Sequence, residues 1–308
     1  MKPKIIFLSR YQATANRGAE TFVKELSTRL AKTFKIVILN GFSFEVFKQK
    51  PAIIIPINGG LQSLLTKIYC IFTKTKMIIS GQAGLGRPDR WNLLLRPNAF
   101  VALTEKNAAW AKKNSFKVNI KIIPNGVDLT KFKTTGKKIN LPLNQPIILC
   151  VAGPEPYKRI EATIKAVAQL KNTSLLVAGG SPSSKNLGRQ LLGERFLQIK
   201  FKFDQMPAVY RSVDVFTLAS KSFEAFGTAY LEALASGLSV VAPNDQLRHQ
   251  ILGNNAIYVN QINSAKQYAA KLTKALNHKQ TLPIKWLNSF SWDNIAKKYQ
   301  QLCLELIG

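Results

Sequence analysis

Short apolar runs alternate with helical stretches along this chain, and the rhythm runs twice. Residues 4–8, 35–39, 52–55, 77–79, 99–103 and 121–123 are rich in Ile, Val, Phe and Leu. Unbroken apolar runs of that length suit strands covered on both faces. Between them, residues 19–32, 61–73 and 105–113 carry apolar side chains at helical spacing. Strand–helix alternation of this kind predicts an α/β fold, a doubly wound parallel sheet. Residues 131–146 are polar, contain Gly136, Pro142 and Pro146, and read as an interdomain linker. The rhythm restarts at residues 147–151. It continues through a helix at 160–170, strands at 174–178 and 213–218, a helix at 228–236, a strand at 238–242 and a helix at 265–277. Ser291 is placed to cap a last amphipathic helix ending near Ile307, with Asp293 favouring its positive end.

Two domains with real cores fit in 308 residues, and a 46% hydrophobic content argues for packed structure. The three cysteines, Cys70, Cys150 and Cys303, are far apart and odd in number, so no disulfide framework or zinc spacing arises. They read as buried, reduced thiols of a cytoplasmic protein. The apolar run at residues 5–8 is too short for a signal-peptide core. No run reaches the roughly 18 apolar residues a bilayer span needs. Lys and Arg number 44 against 16 Asp and Glu, a net charge of +28. The excess is concentrated before Leu141, with 25 basic and 6 acidic residues there against 19 and 10 after. Such a field attracts polyanions: nucleic acid, anionic lipid or phosphorylated substrates. The same excess also fits a simple compositional bias towards Lys, Ile and Asn. No recognition helix, zinc spacing or aromatic-rich motif for specific nucleic acid stands out.

The stretch Glu224-Ala-Phe-Gly-Thr-Ala-Tyr-Leu-Glu232 brings two carboxylates eight positions apart around a Phe-Gly turn. On one helix they would point about 80° apart. A loop position for Glu224 and a helix position for Glu232 fits better. Gly227 permits the turn, Thr228 is expected to cap the helix with its hydroxyl, and the first helical amides offer a phosphate site. Lys158 and Arg159 lie on a loop between a strand and a helix, at the carboxyl end of a parallel sheet where ligands bind in such folds. Gly179 and Gly180 end another strand, where glycine lets a backbone approach a ligand closely. Residues 61–76 mix Leu and Ile with Lys67, Lys74 and Lys76. The favoured reading is a helix buried against its sheet; the other is a basic amphipathic surface that docks on anionic membrane. Residues 87–96, with Trp91 and three arginines, belong to the same question.

The Glu-x7-Glu stretch resembles the motif of the retaining family 4 glycosyltransferases. Residues 118–128, 150–159, 206–216 and 291–296 resemble further segments of that family in the same order. The likeness is dense from about Asn119 onward and thinner before it. It implies a GT-B fold, with two Rossmann-like doubly wound domains, a cleft between them and a C-terminal crossover helix. The domains would be residues 1–135 for the acceptor, a linker at 136–146, residues 147–290 for the nucleotide-sugar, and a helix at 291–308 packing back on the first. It also implies a hexosyltransferase-like enzyme, retaining and independent of metal, that moves a sugar from a nucleotide-diphosphate sugar to a glycan or lipid-linked acceptor. The setting would be the cytoplasm, at the inner membrane face, with peripheral contact with anionic membrane. No cofactor is implied beyond the donor substrate.

By the same resemblance, Glu224 binds donor-sugar hydroxyls and Glu232 the ribose, and the amides of Phe226, Gly227 and Thr228 face the sugar and diphosphate. Lys158 holds the diphosphate. The family's companion Arg falls on Gly153, and Arg159 is the candidate substitute. Gly180 lines the nucleotide pocket. Gly18, in Asn16-Arg17-Gly18-Ala19-Glu20, faces the donor phosphates, with Arg17 towards the acceptor. Gln82 stands where many relatives place a His. His249 is read as structural. The two departures, at Gly153 and Gln82, motivate the other reading, a catalytically degenerate basic protein of the same fold that binds anionic membrane or polyanions.

Overall fold

The computed structural model describes every residue except Met1, Tyr11, residues 13–17, Asn58, Phe223, Lys279, Gln280 and Leu282. The chain divides into two compact units. The first comprises Met1–Gly126, residues 223–226 and Ser289–Gly308; the second comprises Val127–Ser222 and Gly227–Asn288.

In the first unit the order is β1 (Lys4–Leu8), α1 (Gly18–Leu30), β2 (Lys35–Leu39), α2 (Glu45–Gln49), β3 (Ile53–Pro56), α3 (Gly60–Phe72), β4 (Lys76–Ser80), α4 (Arg87–Leu94), β5 (Ala99–Ala102), α5 (Glu105–Lys113) and β6 (Ile120–Ile122). The strands form one parallel sheet in the order β2-β1-β3-β4-β5-β6. Apolar residues on successive strand positions leave both faces to be covered. One face is covered by Phe22, Val23 and Leu26 of α1 together with Trp292, Ile295, Tyr299 and Leu302 of the last helix. The other is covered by Val46 of α2, Tyr69 of α3, Leu93 of α4, and Ala108 and Ala111 of α5.

In the second unit the order is β7 (Ile147–Ala152), α6 (Ile160–Ala168), β8 (Ser174–Gly179), α7 (Pro182–Leu192), β9 (Phe196–Ile199), α8 (Met206–Arg211), β10 (Val215–Thr217), α9 (Thr228–Ala235), β11 (Ser239–Pro243), α10 (Gln246–Leu252), β12 (Ile257–Val259) and α11 (Ala265–Leu276). Its parallel sheet runs β12-β11-β10-β7-β8-β9. The order reverses between β7 and β10, which opens a crevice at their carboxyl ends. Two helices follow, α12 (Ile284–Ser289) and α13 (Trp292–Ile307), and Ser291 accepts from the Asn294 amide as the α13 cap.

The structure differs from the sequence reading in the bounds of the two units, where residues 223–226 also fall with the first, and in α3. The first unit ends at Gly126 and not at residue 135, because Phe132 packs on Phe203 and Tyr210 and Arg211 donates to the Lys131 and Lys137 carbonyls, fixing this stretch to the second unit. The return begins at Ser289 and not at residue 291. The largest difference is α3. It turns Gln62, Ser63, Thr66 and Tyr69 inward and leaves Leu61, Leu64, Leu65, Ile68, Ile71 and Phe72 exposed. The favoured buried-helix reading of residues 61–76 is therefore wrong for its apolar face.

Candidate functional site

The second unit assembles its candidate groups at the β7/β10 switch point. Beyond β7 the chain forms a tight loop through Gly153 to Arg159. Beyond β10 it runs through Ala219, Ser220 and Lys221. The two loops are tied together: the Lys221 amide donates to the Tyr157 carbonyl at 2.9 Å, and Arg159 Nε donates to the Ala219 carbonyl at 2.6 Å. Lys158 stands on this loop with Nζ 5.0 Å from the Tyr157 ring centroid, a cation over an aromatic face. Arg159 adopts φ +50, the left-handed region. Burial, then the nearby charge of Arg248, holds its guanidinium below the ordinary value. Its Nη2 also reaches the Ser220 carbonyl at 3.4 Å. Arg159 therefore braces the two loops, and the side chain expected to replace the family's diphosphate Arg already has partners. At Gly153, where that Arg would stand, a side chain would run into the Glu155 carboxylate.

The Glu-x7-Glu stretch is split between loop and helix, as its spacing implies. Glu224 lies in the loop and is 9% exposed. Ala225 accepts from Asn107 Nδ2 at 3.2 Å, and the Phe226 ring packs near Phe290 with centroids 6.3 Å apart, both within the first unit. Gly227, at φ +90, is the N-cap of α9, and no side chain caps this helix. Thr228 is its first residue, so the expected capping role of the Thr228 hydroxyl is not met. The left-handed turn at Gly227 replaces it; the Tyr230 amide donates to the Gly227 carbonyl at 3.1 Å, and the Thr228 and Ala229 amides precede the first bond of the helix.

Glu232 sits one turn into α9, and Tyr210 Oη of α8 donates to its Oε2 at 2.9 Å. Removal from water raises the Glu232 carboxyl to about 7, and the Tyr210 hydrogen bond opposes this. Tyr210 is fully buried, and burial and the Glu232 charge push its hydroxyl well above the usual range. The helix is held from behind by Tyr230, whose Oη donates to the Leu218 carbonyl at 2.6 Å and whose ring meets Phe216 edge-on at 5.5 Å. Tyr210 was not singled out by its sequence. The available signal was a tyrosine among apolar neighbours in a short helix, since a buried phenol needs a partner.

Gly180 has an internal explanation. It takes φ +79, its amide donates to the Ala152 carbonyl at 2.8 Å, and a Cβ would press on Gln198. Packing against its own sheet thus also calls for glycine here. His249 stacks on Tyr258 with ring centroids 4.0 Å apart, and its Nε2 lies within hydrogen-bond distance of Asn244 Oδ1.

In the first unit, Gln82 follows β4 and pairs reciprocally with Asn125. Gln82 Nε2 donates to Asn125 Oδ1, and Asn125 Nδ2 to Gln82 Oε1, both at 2.9 Å. Ser80 Oγ, which accepts from Gln82 Nε2 at 3.0 Å, also accepts from Tyr299 Oη at 3.1 Å. Gln82 is thus held rigidly, and Asn125 is a second partner that sequence reading did not select. Nearby, Asp89 is buried and its carboxyl is raised to about 7 by that burial, against a hydrogen bond from Asn92. Gly18 begins α1, and a Cβ there would meet nothing. Arg17 lies outside the described residues.

The family described as Glycosyl transferases group 1 matches residues 131–286. A D-inositol 3-phosphate glycosyltransferase of Mycolicibacterium smegmatis is 28% identical over 53% of this chain and 50% of its own. An alpha-monoglucosyldiacylglycerol synthase of Streptococcus pneumoniae is 25% identical over 62% of this chain and 48% of its own. The chain thus spans about half the length of these curated relatives. Among solved structures, sucrose-phosphate synthase of Thermosynechococcus elongatus superposes with a TM-score of 0.80 at 18% identity, covering 99% of both chains. The Anabaena HepE protein, solved with UDP-glucose, superposes at 0.79 and 14% identity, covering 98% of this chain and 99% of its own. At such identities these likenesses establish the fold, which is GT-B. The family match covers half the chain and takes in the switch-point loops and α9, and on that ground the protein belongs to the glycosyl transferases group 1.

Proposed function

We propose that this protein transfers a hexose-type sugar from a nucleotide-diphosphate sugar to a glycan or lipid-linked acceptor, with retention of configuration and without a metal ion. The observation that supports the proposal is the second unit's β7/β10 switch point: Lys158 stands on the loop after β7, and α9, which carries Glu232 and starts without a side-chain cap, follows the loop after β10. Cation and amides suit a diphosphate. Glu232 suits vicinal ribose hydroxyls, because an ionised carboxylate makes hydrogen bonds about twice as strong as a neutral acceptor does. Lys158 and the helix start would also stabilise the charge that develops on the departing phosphate. In a retaining, front-face reaction that phosphate takes the acceptor proton, so no strong general base is required. Glu224 is proposed to hold the donor-sugar hydroxyls and Gln82 to face the acceptor side. The relatives named above support a nucleotide-sugar donor, and the diacylglycerol-type product in one name supports a lipid-linked acceptor.

A second reading is favoured by Gly153 and Arg159. The usual diphosphate Arg is absent and its candidate substitute, Arg159, is engaged with carbonyls, as expected of a degenerate site kept only for binding.

Thermal shifts with UDP, GDP, ADP and dTDP, run on the native protein and on Glu232→Ala, separate the two. A ligand present at a hundredfold its Kd stabilises the native state by about 2.7 kcal/mol. The transferase reading expects one nucleotide to give such a shift and Glu232→Ala to abolish it. Transfer that survives a chelator, with product of the donor's own anomeric configuration by NMR, tests the rest. No shift with any nucleotide supports the degenerate reading.

A further inference from the structure

α3 is inverted relative to an ordinary surface helix, which buries its apolar stripe. Two of its inward polar residues, Gln62 and Thr66, have hydrogen-bond partners. Gln62 Nε2 donates to the Leu8 carbonyl at 3.1 Å, and Thr66 Oγ1 donates to the Gln62 carbonyl at 2.8 Å. Rolling the helix to hide its outer face would break the Gln62–Leu8 bond, while the Thr66 bond stays within the helix. Outward stand Leu61 (69% exposed), Ile71 (66%) and Phe72 (83%), with Leu64, Leu65 and Ile68 between them.

Neighbouring elements extend the patch. Tyr69 holds Phe47 edge-on at 5.0 Å, and Phe47 stacks on Phe44, which is 73% exposed. α4 adds Trp91 and Leu94, both more than half exposed. Lys67 Nζ donates to the Arg96 carbonyl at 2.9 Å, joining α3 to the end of α4, and the Arg96 guanidinium lies over the exposed Phe116 ring at 5.4 Å. A contiguous apolar surface of this extent on one face marks an interaction site. Its rim has one sign of charge. Lys48, Lys50, Lys74, Arg90 and Arg96 are exposed around it. The only acidic residues from position 42 to 96 are Glu45, paired with Lys48 at 2.8 Å, and the buried Asp89.

We propose that this face is an interfacial anchor that lays α3 flat on an anionic lipid bilayer. Long aliphatic and aromatic side chains enter the acyl boundary while the cationic rim meets lipid phosphates. Among the described residues no helix is long and apolar enough to cross a membrane, and thirteen residues of helix reach about 20 Å, so α3 lies on the bilayer. The charge complementarity selects the occupant. The anchor deepens the transferase reading by stating where a lipid-linked acceptor would be met, although the binding itself needs no catalysis.

The test uses flotation of the whole protein with vesicles of phosphatidylcholine alone and of equal phosphatidylcholine and phosphatidylglycerol, with tryptophan emission recorded in parallel. At least tenfold more protein is expected on the anionic vesicles, with a blue shift that Trp91→Phe removes. Leu64→Glu with Ile68→Glu is expected to lose at least tenfold of this binding and to keep the native nucleotide thermal shift. Should the double variant unfold, Phe72→Ser at an exposed position takes its place. Three results would overturn the proposal: native-like vesicle binding by the variants, binding abolished by salt in every protein with no Trp91 shift, or a dimer by light scattering that the variants split while vesicles bind nothing. Failure of the transferase reading looks different, as absent nucleotide shifts with vesicle binding intact.

Discussion

Glu232 is a carboxyl that would rather be neutral at the pH where the proposed chemistry needs it charged. With its folded value near 7 and its unfolded value near the ordinary 4.5, the folded state holds the proton more tightly. Its contribution to stability is complete below about pH 4.5 and is lost as pH rises through 7. Glu232→Gln keeps an acceptor for Tyr210 Oη and never ionises. It is expected to be more stable than the native protein by on the order of 3 kcal/mol at pH 8, with the difference gone at pH 4.5. Thermal melts of the two across that range check this, and a gap that does not vary with pH would show that desolvation of the charge is not its source. Nucleotide affinity should move the other way for the native protein and weaken between pH 8 and pH 6 as the carboxylate is protonated. At this scale the spacing around Phe226-Gly227 was enough to put Glu224 in a loop and Glu232 on a helix. The partners were not legible. Tyr210 is 22 positions from Glu232 and Asn125 is 43 from Gln82, and such contacts are set by tertiary packing rather than by local pattern.

Among the elements, the β8 end depends on glycine for its shape. Gly179 takes φ +110, and a Cβ there would collide with the Ala152 backbone carbonyl of the neighbouring strand. Gly179→Ala is expected to cost about 2–4 kcal/mol, combining a strained φ with a backbone clash. Urea denaturation measures it, and a loss under 1 kcal/mol would mean that β7 and β8 separate easily at this end. The central strands were readable because a strand covered on both sides needs an unbroken apolar run. Short edge strands were not: β9 is Phe-Leu-Gln-Ile and β12 has three residues, too few to show a period. α7 was missed because it is polar and held by Ser181 and Pro182 at its start. α3 failed for a different reason. Periodicity identifies which residues share a face, but it does not say whether that face meets the protein or something else.

For the whole molecule, the path of the chain matters most. It leaves the first unit after Gly126, rejoins it briefly at residues 223–226 and comes back to it finally at Ser289. Trp292, Ile295, Tyr299 and Leu302 are almost fully buried in the first unit's core. At roughly 1.5–3 kcal/mol each, they supply about 6–12 kcal/mol, as much as the whole stability of a typical domain. A fragment of residues 1–126 is therefore expected to show no cooperative unfolding by circular dichroism, and added peptide 289–308 to restore it. A sharp transition in the fragment alone would show that the sheet and α1 suffice. Gly126 fits the same picture, since a Cβ there would strike the Trp292 ring at 2.6 Å.

The same path sets an order of events at the ribosome. Residues 1–126 emerge first, yet the side chains that close their core follow only after the whole second unit has been made. At about 5–20 residues per second, that delay lasts roughly 10–30 s. Through it Phe22, Val23 and Leu26 have no lid, and the first-made sheet must wait open for the last helix to arrive. A nascent chain of this design is a natural client for a holdase, and slowing its translation would lengthen the exposure rather than help it fold.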